Sequence, residues 1–270
     1  MASNPQVSPE TVSAHIKLSG PDWELQTAMS VPKGLTQLRQ LLPVAQAFVD
    51  KVVDAAVQAS EAQGQKISCK KGCGACCRQL VPISETEAHN IHDVIEALPE
   101  PRRTEIRTRF SAARQRLESA GLLEQLQQPN REWKEGESVT FGLKYFAQGI
   151  PCPFLENGSC SIYADRLITC REYLVTSPAE NCAKPTAQTI TGVPLPLKVW
   201  TAVARFNKIP ENQQFIRWVP LILAPEWAEV HPDDTEVRPG PELLQELFDH
   251  MKKTGSALTR LGEATDQSVQ

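Results

Sequence analysis

The 270-residue chain contains eight cysteines, and their placement constrains its fold more than any other feature. They fall into two groups of four, and none lies elsewhere: Cys69, Cys73, Cys76 and Cys77, then Cys152, Cys160, Cys170 and Cys182. No N-terminal segment joins a basic start to an apolar stretch, so we expect a cytosolic protein whose thiols stay reduced. Grouped thiolates in that setting hold a metal or carry out redox chemistry.

Composition narrows the class of protein further. Hydrophobic residues make up 41% of the chain, which is enough to fill a sizeable core and excludes wholesale disorder. The formal net charge of −4 is unlike that of a general nucleic-acid coat protein. The longest strongly apolar run, 218–224, is too short to span a bilayer. We therefore expect neither a membrane nor a nucleic-acid partner.

Hydrophobic periodicity predicts a mainly α fold. Residues 1–33 contain four prolines and no sustained apolar period, so they are expected to form an extended arm with one short strand around His15 to Leu18; 254–270 are expected to form a flexible tail. Between them, 34–253 form one predicted helical domain that includes a cysteine-rich metal-binding region at 66–185. Helices are expected in the following stretches: 34–62, split after Leu41 by Pro43; the segment after Ser84, which forms a capping box with Glu87; 101–119; 195–206; and 242–252.

The second cysteine group lies in a predicted irregular region, 149–185, that is rich in Pro, Gly, Asn and Ser. Its Asn157-Gly158 pair is a strong signal for a short hairpin, and a two-residue turn would set Leu155 opposite Cys160. Strict pleating would put Cys152 on the other face, but flanking prolines allow Cys152 to turn back towards a shared metal. We expect metal binding, rather than apolar packing, to hold this region together.

The first group suits several sulfur atoms that converge on one cation. Gly72 and Gly74 leave the backbone free to fold tightly. Cys73, Cys76 and Cys77 have the spacing that gathers side chains on one side of a helical turn. Lysine and arginine residues surround the group, and nearby positive charge offsets the charge of thiolates. This setting favours metal ligation or, equally, a reactive thiol.

Spacing alone leaves the metal open. Four thiolates bind Zn²⁺ tetrahedrally or hold an iron–sulfur cluster, and eight ligands permit one centre or two. Free thiols and disulfides are the other interpretations, but closely spaced cysteines in a reducing compartment are prone to oxidation unless they are occupied. We predict that zinc or iron, with an iron–sulfur cluster as one form, is bound by all eight cysteines.

Several short motifs accompany the cysteines. The first group, Cys69-x3-Cys73-x2-Cys76-Cys77, is followed by Ile83-Ser84 and Glu87-Ala88. The second group carries these motifs: Pro151-Cys152-Pro153-Phe154-Leu155, Gly158-x-Cys160-x-Ile162-Tyr163, Arg166 and Cys170-Arg171-Glu172. This combination, over residues 66–185, resembles the YkgJ-type cysteine-cluster family, whose domain is described as chelating zinc or iron.

The resemblance implies metal binding, with a late cysteine at the position of Cys182. A related branch, the flagellin lysine methylases, comprises iron–sulfur proteins that use S-adenosylmethionine, so an enzyme of that kind is the alternative function. The spacing Cys69-x3-Cys73-x2-Cys76 also occurs in radical S-adenosylmethionine enzymes. Here, however, residue 75 is Ala where an aromatic is usual, and no strand–helix alternation surrounds the motif. The sequence assigns no catalytic residue and no substrate.

Three further features each have a functional and a structural interpretation. His89 and His92 could assist a cysteine nucleophile or simply form a polar helix face. Six arginines between 102 and 116 could bind phosphate or form a solvated face opposite the buried side of a helix. The third feature is a trio that could orient thiolate ligands or lie at the surface: Tyr163, Arg166 and Arg171.

Overall fold

The computed structural model describes residues 10–128, 133–134, 136–186, 188–206, 216–233 and 236–254. The helices are, in chain order, α1 (Leu42–Ala62), α2 (Glu85–Glu96), α3 (Arg102–Ser119), α4 (Leu123–Leu126), α5 (Glu137–Ala147), α6 (Ile168–Glu172), α7 (Ala179–Ala183), α8 (Val199–Ala204), α9 (Ala224–Val230) and α10 (Gly240–Thr254). The strands are β1 (Thr11–Ser19), β2 (Glu24–Pro32), β3 (Leu35–Thr36), β4 (Pro82–Ile83), β5 (Leu155–Glu156), β6 (Ser159–Cys160), β7 (Val219–Pro220) and β8 (Arg238–Pro239). The structure is about 48% helical, in keeping with a mainly α fold.

The strands form small antiparallel pairs rather than one sheet. β1 pairs with β2, β3 with β8, β4 with β7 and β5 with β6. The pairs β3–β8 and β4–β7 join segments that are far apart in the chain, so they hold distant parts of the helical fold together. No helix among the described residues is both long enough and apolar enough to cross a membrane.

The N-terminal segment contains more strand than the sequence predicted. In place of one short strand around His15 to Leu18, β1 and β2 form a hairpin of two nine-residue strands. Its turn is closed by the Gly20 N–H, which donates to the Trp23 carbonyl at 2.9 Å. Side chains on one face of the hairpin are buried: Ile16, Leu18, Leu25, Met29 and Val31. Pro21 and Pro32 suggested an irregular segment, but they lie in the turn and at a strand end, where proline is tolerated.

A first hydrophobic core lies between this hairpin and the helices α1, α8 and α10. A 3₁₀ turn at Leu38–Leu41 leads directly into α1, and Pro43 lies in the first turn of that helix. Proline is compatible with a first turn because its missing N–H would have no partner there. The predicted break after Leu41 is therefore confirmed. Phe48 of α1 and Phe248 of α10 meet edge to face, with 5.6 Å between ring centroids.

A second core is built from α2 to α5, α9 and part of the cysteine-rich region. Ser84 caps α2 by accepting a hydrogen bond from the Glu87 N–H at 3.1 Å, and the Ser84 N–H donates to the Glu87 carboxylate at 3.0 Å. This confirms the predicted capping box. Phe154, which follows Cys152 closely, is fully buried against Phe110 with 5.5 Å between ring centroids. The expectation that the cysteine-rich region lacks apolar packing was therefore wrong.

The remaining helix predictions differ in detail from the structure. The predicted helix over 195–206 is confined to α8, and neither α5 nor α9 was predicted. Both α5 and α9 pack in the second core, where contacts with distant segments outweigh weak local propensity. The predicted tail begins at Thr254, where α10 ends, and its other residues lie outside the described part of the chain.

Candidate metal centre

Main-chain hydrogen bonds bring the two cysteine groups together. The Cys152 N–H donates to the Cys77 carbonyl at 2.7 Å. The Val175 N–H donates to the Cys69 sulfur at 3.4 Å, and the Ser68 N–H donates to the Val175 carbonyl at 2.9 Å. Two of these three contacts join backbone groups only, so they set the position of each segment independently of its thiol rotamers.

The turn of the β5–β6 hairpin packs directly on the first cysteine segment. Gly74 approaches it so closely that an added Cβ would lie 2.6 Å from the Gly158 carbonyl oxygen and from the Leu155 side chain. No side chain fits at that distance, so only glycine is compatible with position 74. The turn has left-handed backbone at Asn157 and Gly158, and Leu155 pairs with Cys160.

The eight thiols line two adjoining cavities. The larger, which we name the outer cavity, has a volume of about 360 Å³, and the smaller, the inner cavity, about 80 Å³. The outer cavity is lined by six cysteines: Cys69, Cys73, Cys76, Cys77, Cys160 and Cys182. The inner cavity is lined by five: Cys76, Cys77, Cys152, Cys160 and Cys170. Three cysteines thus line both cavities, and each cavity receives sulfur atoms from both groups.

Cys152 and Cys160 lie on the same cavity although a regular hairpin would separate them. β5 begins only at Leu155, so Cys152 precedes the paired strand and is not bound by its pleat. Cys160 lies within β6, and both residues line the inner cavity. Because β5 is short, Cys152 can lie on the same cavity as Cys160, as the flanking prolines suggested.

All eight cysteines are free, and their environment holds most of the thiols protonated. Burial raises the pKa of Cys152 and Cys170 to about 12 and that of Cys182 to about 11. A hydrogen bond with Cys77, together with burial, raises the pKa of Cys76 strongly. Burial also raises the pKa of Cys69. A bound cation would be needed to convert such thiols into thiolates near neutral pH, and it would release their protons.

Arg166 is the positive charge that acts on most of these sulfur atoms. Although burial raises the pKa of Cys69, Cys160 and Cys170, the guanidinium of Arg166 partly opposes that shift in each case. It acts in the same direction on Cys76. Arg166 therefore stabilises negative charge in the place where metal-bound thiolates would carry it.

The cysteines line shared cavities, but their side chains are not arranged as a finished ligand sphere. Within the described residues, no group of three or more Cys, His, Asp or Glu side chains is positioned to hold a metal ion as it stands. A cysteine side chain has a single rotatable bond before its sulfur, so its thiol moves between staggered positions without any backbone shift. The donor chemistry fits zinc or iron, because the metal-binding side chains on the inner cavity are thiols.

Cys170 is positioned by the short helix α6, which buried carboxylates tie to its neighbours. Glu87, the capping-box residue of α2, also accepts a hydrogen bond from the Ile168 N–H at 2.9 Å, so it caps α6 as well. Glu172 at the end of α6 accepts from the N–H groups of Val199 and Trp200 at 2.6 and 3.1 Å. The helix that carries Cys170 is thus fixed at both ends.

Arg171 fixes the loop before α6 and is not a free surface cation. Its Nε donates to the Arg166 carbonyl and its Nη2 to the Ala164 carbonyl, each at 2.7 Å. Its Nη1 donates to both carboxylate oxygens of Asp50 on α1, at 2.9 and 2.8 Å. Tyr163, in contrast, is 42% exposed. All three residues of the trio singled out by sequence line the outer cavity, and Arg171 also positions the loop.

The arginines of α3 hold the hairpin rather than forming a free basic face. Arg102 and Arg109 both pair with Glu156 in β5, and Arg109 also donates to the Pro153 carbonyl at 3.0 Å. Three further arginines of this helix pair with glutamates: Arg103, Arg107 and Arg114. Sequence reasoning missed Glu156, since no local pattern indicates that its partners lie on α3.

The histidines singled out by sequence lie away from the thiols. In the described part of the chain, no histidine lines the outer or the inner cavity. His89 is buried on α2 and packs edge to face against Trp227, with 5.3 Å between ring centroids. The Nδ1 atom of His92 lies 3.4 Å from the Oδ1 atom of Asp93. A cysteine–histidine catalytic pair therefore has no geometric support.

Fold and cavities together define a mainly helical protein with a two-part cysteine cluster. A family model described as "CxxCxxCC: Putative zinc- or iron-chelating domain" matches residues 68–189, just under half of the chain. This match confirms the family resemblance that the cysteine pattern indicated. No curated protein and no solved structure matches the chain. The alternative, a relative of the flagellin lysine methylases, has no support in these comparisons.

Proposed function

We propose that this protein binds zinc or iron through thiolates of both cysteine groups, within the region 66–185. The observation that carries the proposal is that eight cysteines from two distant segments line two adjoining cavities, and that three of these cysteines line both cavities. The description of the matched family as zinc- or iron-chelating agrees with this assignment.

We further propose that the protein works in a reducing compartment such as the cytosol. Adjacent thiols such as Cys76 and Cys77 form disulfides or higher oxides readily when they are oxidised in the absence of a metal. Five of the six arginines of α3 pair with glutamates in the described part of the chain, so we propose no nucleic-acid partner.

The metal and its form are tested by purifying the full chain without oxygen. Elemental analysis gives the number of zinc and iron atoms per chain, sulfide analysis detects a cluster, and the visible spectrum distinguishes the two forms. Zinc in a colourless protein supports mononuclear thiolate sites, whereas iron, sulfide and brown colour support an iron–sulfur cluster. A chain that retains neither metal, and takes up neither under reducing conditions, contradicts the proposal.

The two-part nature of the site is tested separately with serine variants from each group. Cys69→Ser represents the first group and Cys170→Ser the second, and each should lower metal affinity by at least about tenfold because each removes a ligand. Ser159→Ala, next to Cys160, is the control that leaves every thiol in place. If variants of one group alone change metal binding, the two-part site is wrong even when the protein binds metal.

A further inference from the structure

The outer cavity has more room than a metal ion needs. Its volume is about 360 Å³, and it extends from the thiols to Lys70, Lys71 and Tyr163 at the protein surface. A zinc ion lies only about 2.3 Å from its sulfur ligands, so a metal would fill a small fraction of this space. Cavities of about 300 Å³ and above are the usual size for small-molecule sites. The part beyond the thiols is therefore large enough for a small ligand.

The charge of this cavity is unbalanced in favour of cations. Its two carboxylates are engaged, since Asp50 pairs with Arg171 at 2.8 Å and Asp54 lies 3.8 Å from Lys51. Three other cations line or border the same space, and none of them has a carboxylate partner within the described residues: Lys70, Lys71 and Arg166. Both lysines are exposed. An anion that enters the cavity would meet cations that no carboxylate among the described residues neutralises.

Tyr163 brings two of these cations together. The Lys71 ammonium lies 5.4 Å from the centroid of the Tyr163 ring, and the Arg166 guanidinium carbon lies 5.7 Å from it. Both distances are within the range of cation–π attraction. Lys71 belongs to the first cysteine segment and Arg166 to the second, so only the folded protein brings both cations to one aromatic ring. Holding two cations at a fixed spacing reduces the entropy lost when they bind one anion.

We propose that the outer cavity binds a small anion that bears carboxylate or phosphate groups, held by Lys71 and Arg166 beside Tyr163. Arg166 offers a planar fork of N–H donors that suits carboxylate and phosphate oxygens, and Lys71 adds a mobile point charge. Lys70, on the rim of the same cavity, adds long-range attraction. The site stands on these side chains and goes beyond the proposed function, since it does not require the anion to contact a metal.

The test is calorimetric titration of the full chain with citrate and, separately, with inorganic phosphate. Zinc-loaded and metal-free protein are both titrated at constant ionic strength in dithiothreitol, because a carboxylate-bearing reductant or chelator would compete. We expect saturable binding with one anion per chain in at least one of the two forms. Tighter binding of citrate identifies a carboxylate ligand, and tighter binding of phosphate identifies a phosphate ligand.

Matched variants connect that binding to the cavity. Lys71→Gln and Arg166→Gln should each weaken anion binding about tenfold by removing one charge-assisted hydrogen bond. Tyr163→Phe keeps the ring and should bind as the parent does, whereas Tyr163→Leu removes it and should bind more weakly. Lys17→Gln is the control, because Lys17 is an exposed lysine on β1, away from the cavity.

Two results would overturn the anion site. One is the absence of saturable binding of either anion to both forms of the chain. The other is equal weakening by Lys17→Gln and Lys71→Gln, which would indicate diffuse attraction to the whole surface. Metal content is measured on the same samples, so zinc uptake without anion binding rejects the anion site alone, and anion binding without metal uptake rejects the proposed function alone.

Discussion

Replacing Glu87 with glutamine should weaken the hydrogen bonds that attach α6, the helix that carries Cys170, to α2. The carboxylate of Glu87 is fully buried and accepts three hydrogen bonds. One oxygen accepts from the N–H and the hydroxyl of Ser84, both at 3.0 Å, and the other accepts from the Ile168 N–H at 2.9 Å. An amide has one acceptor end and one donor end. In either orientation, its NH₂ group faces a buried backbone N–H that then has no acceptor.

The expected magnitude follows from that count. Leaving one buried donor without a partner costs about 1–3 kcal/mol, so Glu87→Gln should lower the free energy of unfolding by about 2 kcal/mol. Burial raises the pKa of Glu87, and removing a buried charge offsets part of this cost, which places the expected value in the middle of the range. The size of the protein makes the corresponding decrease in Tm about 4–8 °C.

The assay is urea unfolding followed by circular dichroism, together with zinc affinity measured by competition with a coloured chelator. Glu85→Gln on the same helix is the control, since Glu85 is partly exposed and pairs with Arg217 at 3.1 Å. A surface pair of that kind contributes about 0–1 kcal/mol. If Glu87→Gln and Glu85→Gln have equal stability and equal zinc affinity, the reasoning about α6 is refuted.

Four further predictions concern the same region. Cys76→Ser should reduce the metal content of the protein. Its Tm measured with metal present should be several degrees below that of the parent, whereas the Tm values of the two metal-free proteins should be nearly equal. Equal decreases with and without metal would contradict a ligand role. Arg109→Gln should lower the free energy of unfolding, measured in urea, by about 1–2 kcal/mol and should weaken zinc binding, because Arg109 contacts Glu156 and the Pro153 carbonyl between two cysteines. Arg103→Gln should have little effect on either, because Arg103 pairs with Glu100 instead. Burial raises the pKa of Glu172 to about 7 from 4.5, so wild-type stability should fall by up to about 3 kcal/mol as pH rises through that interval. Glu172→Gln keeps the single oxygen that accepts both N–H groups and should remove the contribution of Glu172, which makes that slope smaller in urea unfolding from pH 4 to pH 8 than in the parent; an unchanged slope would contradict the assignment. Adding zinc to the metal-free protein at pH 7 should release close to one proton per sulfur ligand, because the raised pKa values of thiols such as Cys152 and Cys170 keep them protonated until the metal binds; a pH-stat records the release, and no release would contradict thiolate ligation.

Much of the candidate site could be predicted because its signals are local. The spacing of the cysteines and the glycines between them indicated sulfur chemistry without any knowledge of the fold. The Ser84–Glu87 capping box and the break before α1 depend on residues within one helical turn, and the structure has both. The positive φ angles of Asn157 and Gly158 likewise follow from the conformational preferences of that pair.

Contacts between distant segments were not accessible to the same reasoning. The second role of Glu87, at the start of α6, depends on a residue more than eighty positions away. The prediction for the N-terminal segment gave weight to its prolines. In the structure, the alternating apolar residues of β1 and β2 stabilise a hairpin instead, because α1 and α10 cover its apolar face. The arginines of α3 have a basic pattern in the sequence, but the fold supplies glutamates to most of them.

The sequence by itself determined the chemistry of this protein: soft sulfur donors in two clusters, short turns where glycine is required, and helices with defined ends. Only the tertiary structure decided how those donors are grouped. It placed thiols from both clusters around two adjoining cavities, and it brought Lys71 and Arg166 to one aromatic ring. The physical reason is that local preferences act over a few residues, whereas the position of one segment on another is set by the burial of apolar side chains such as Phe154 and by hydrogen bonds of buried groups such as Glu87.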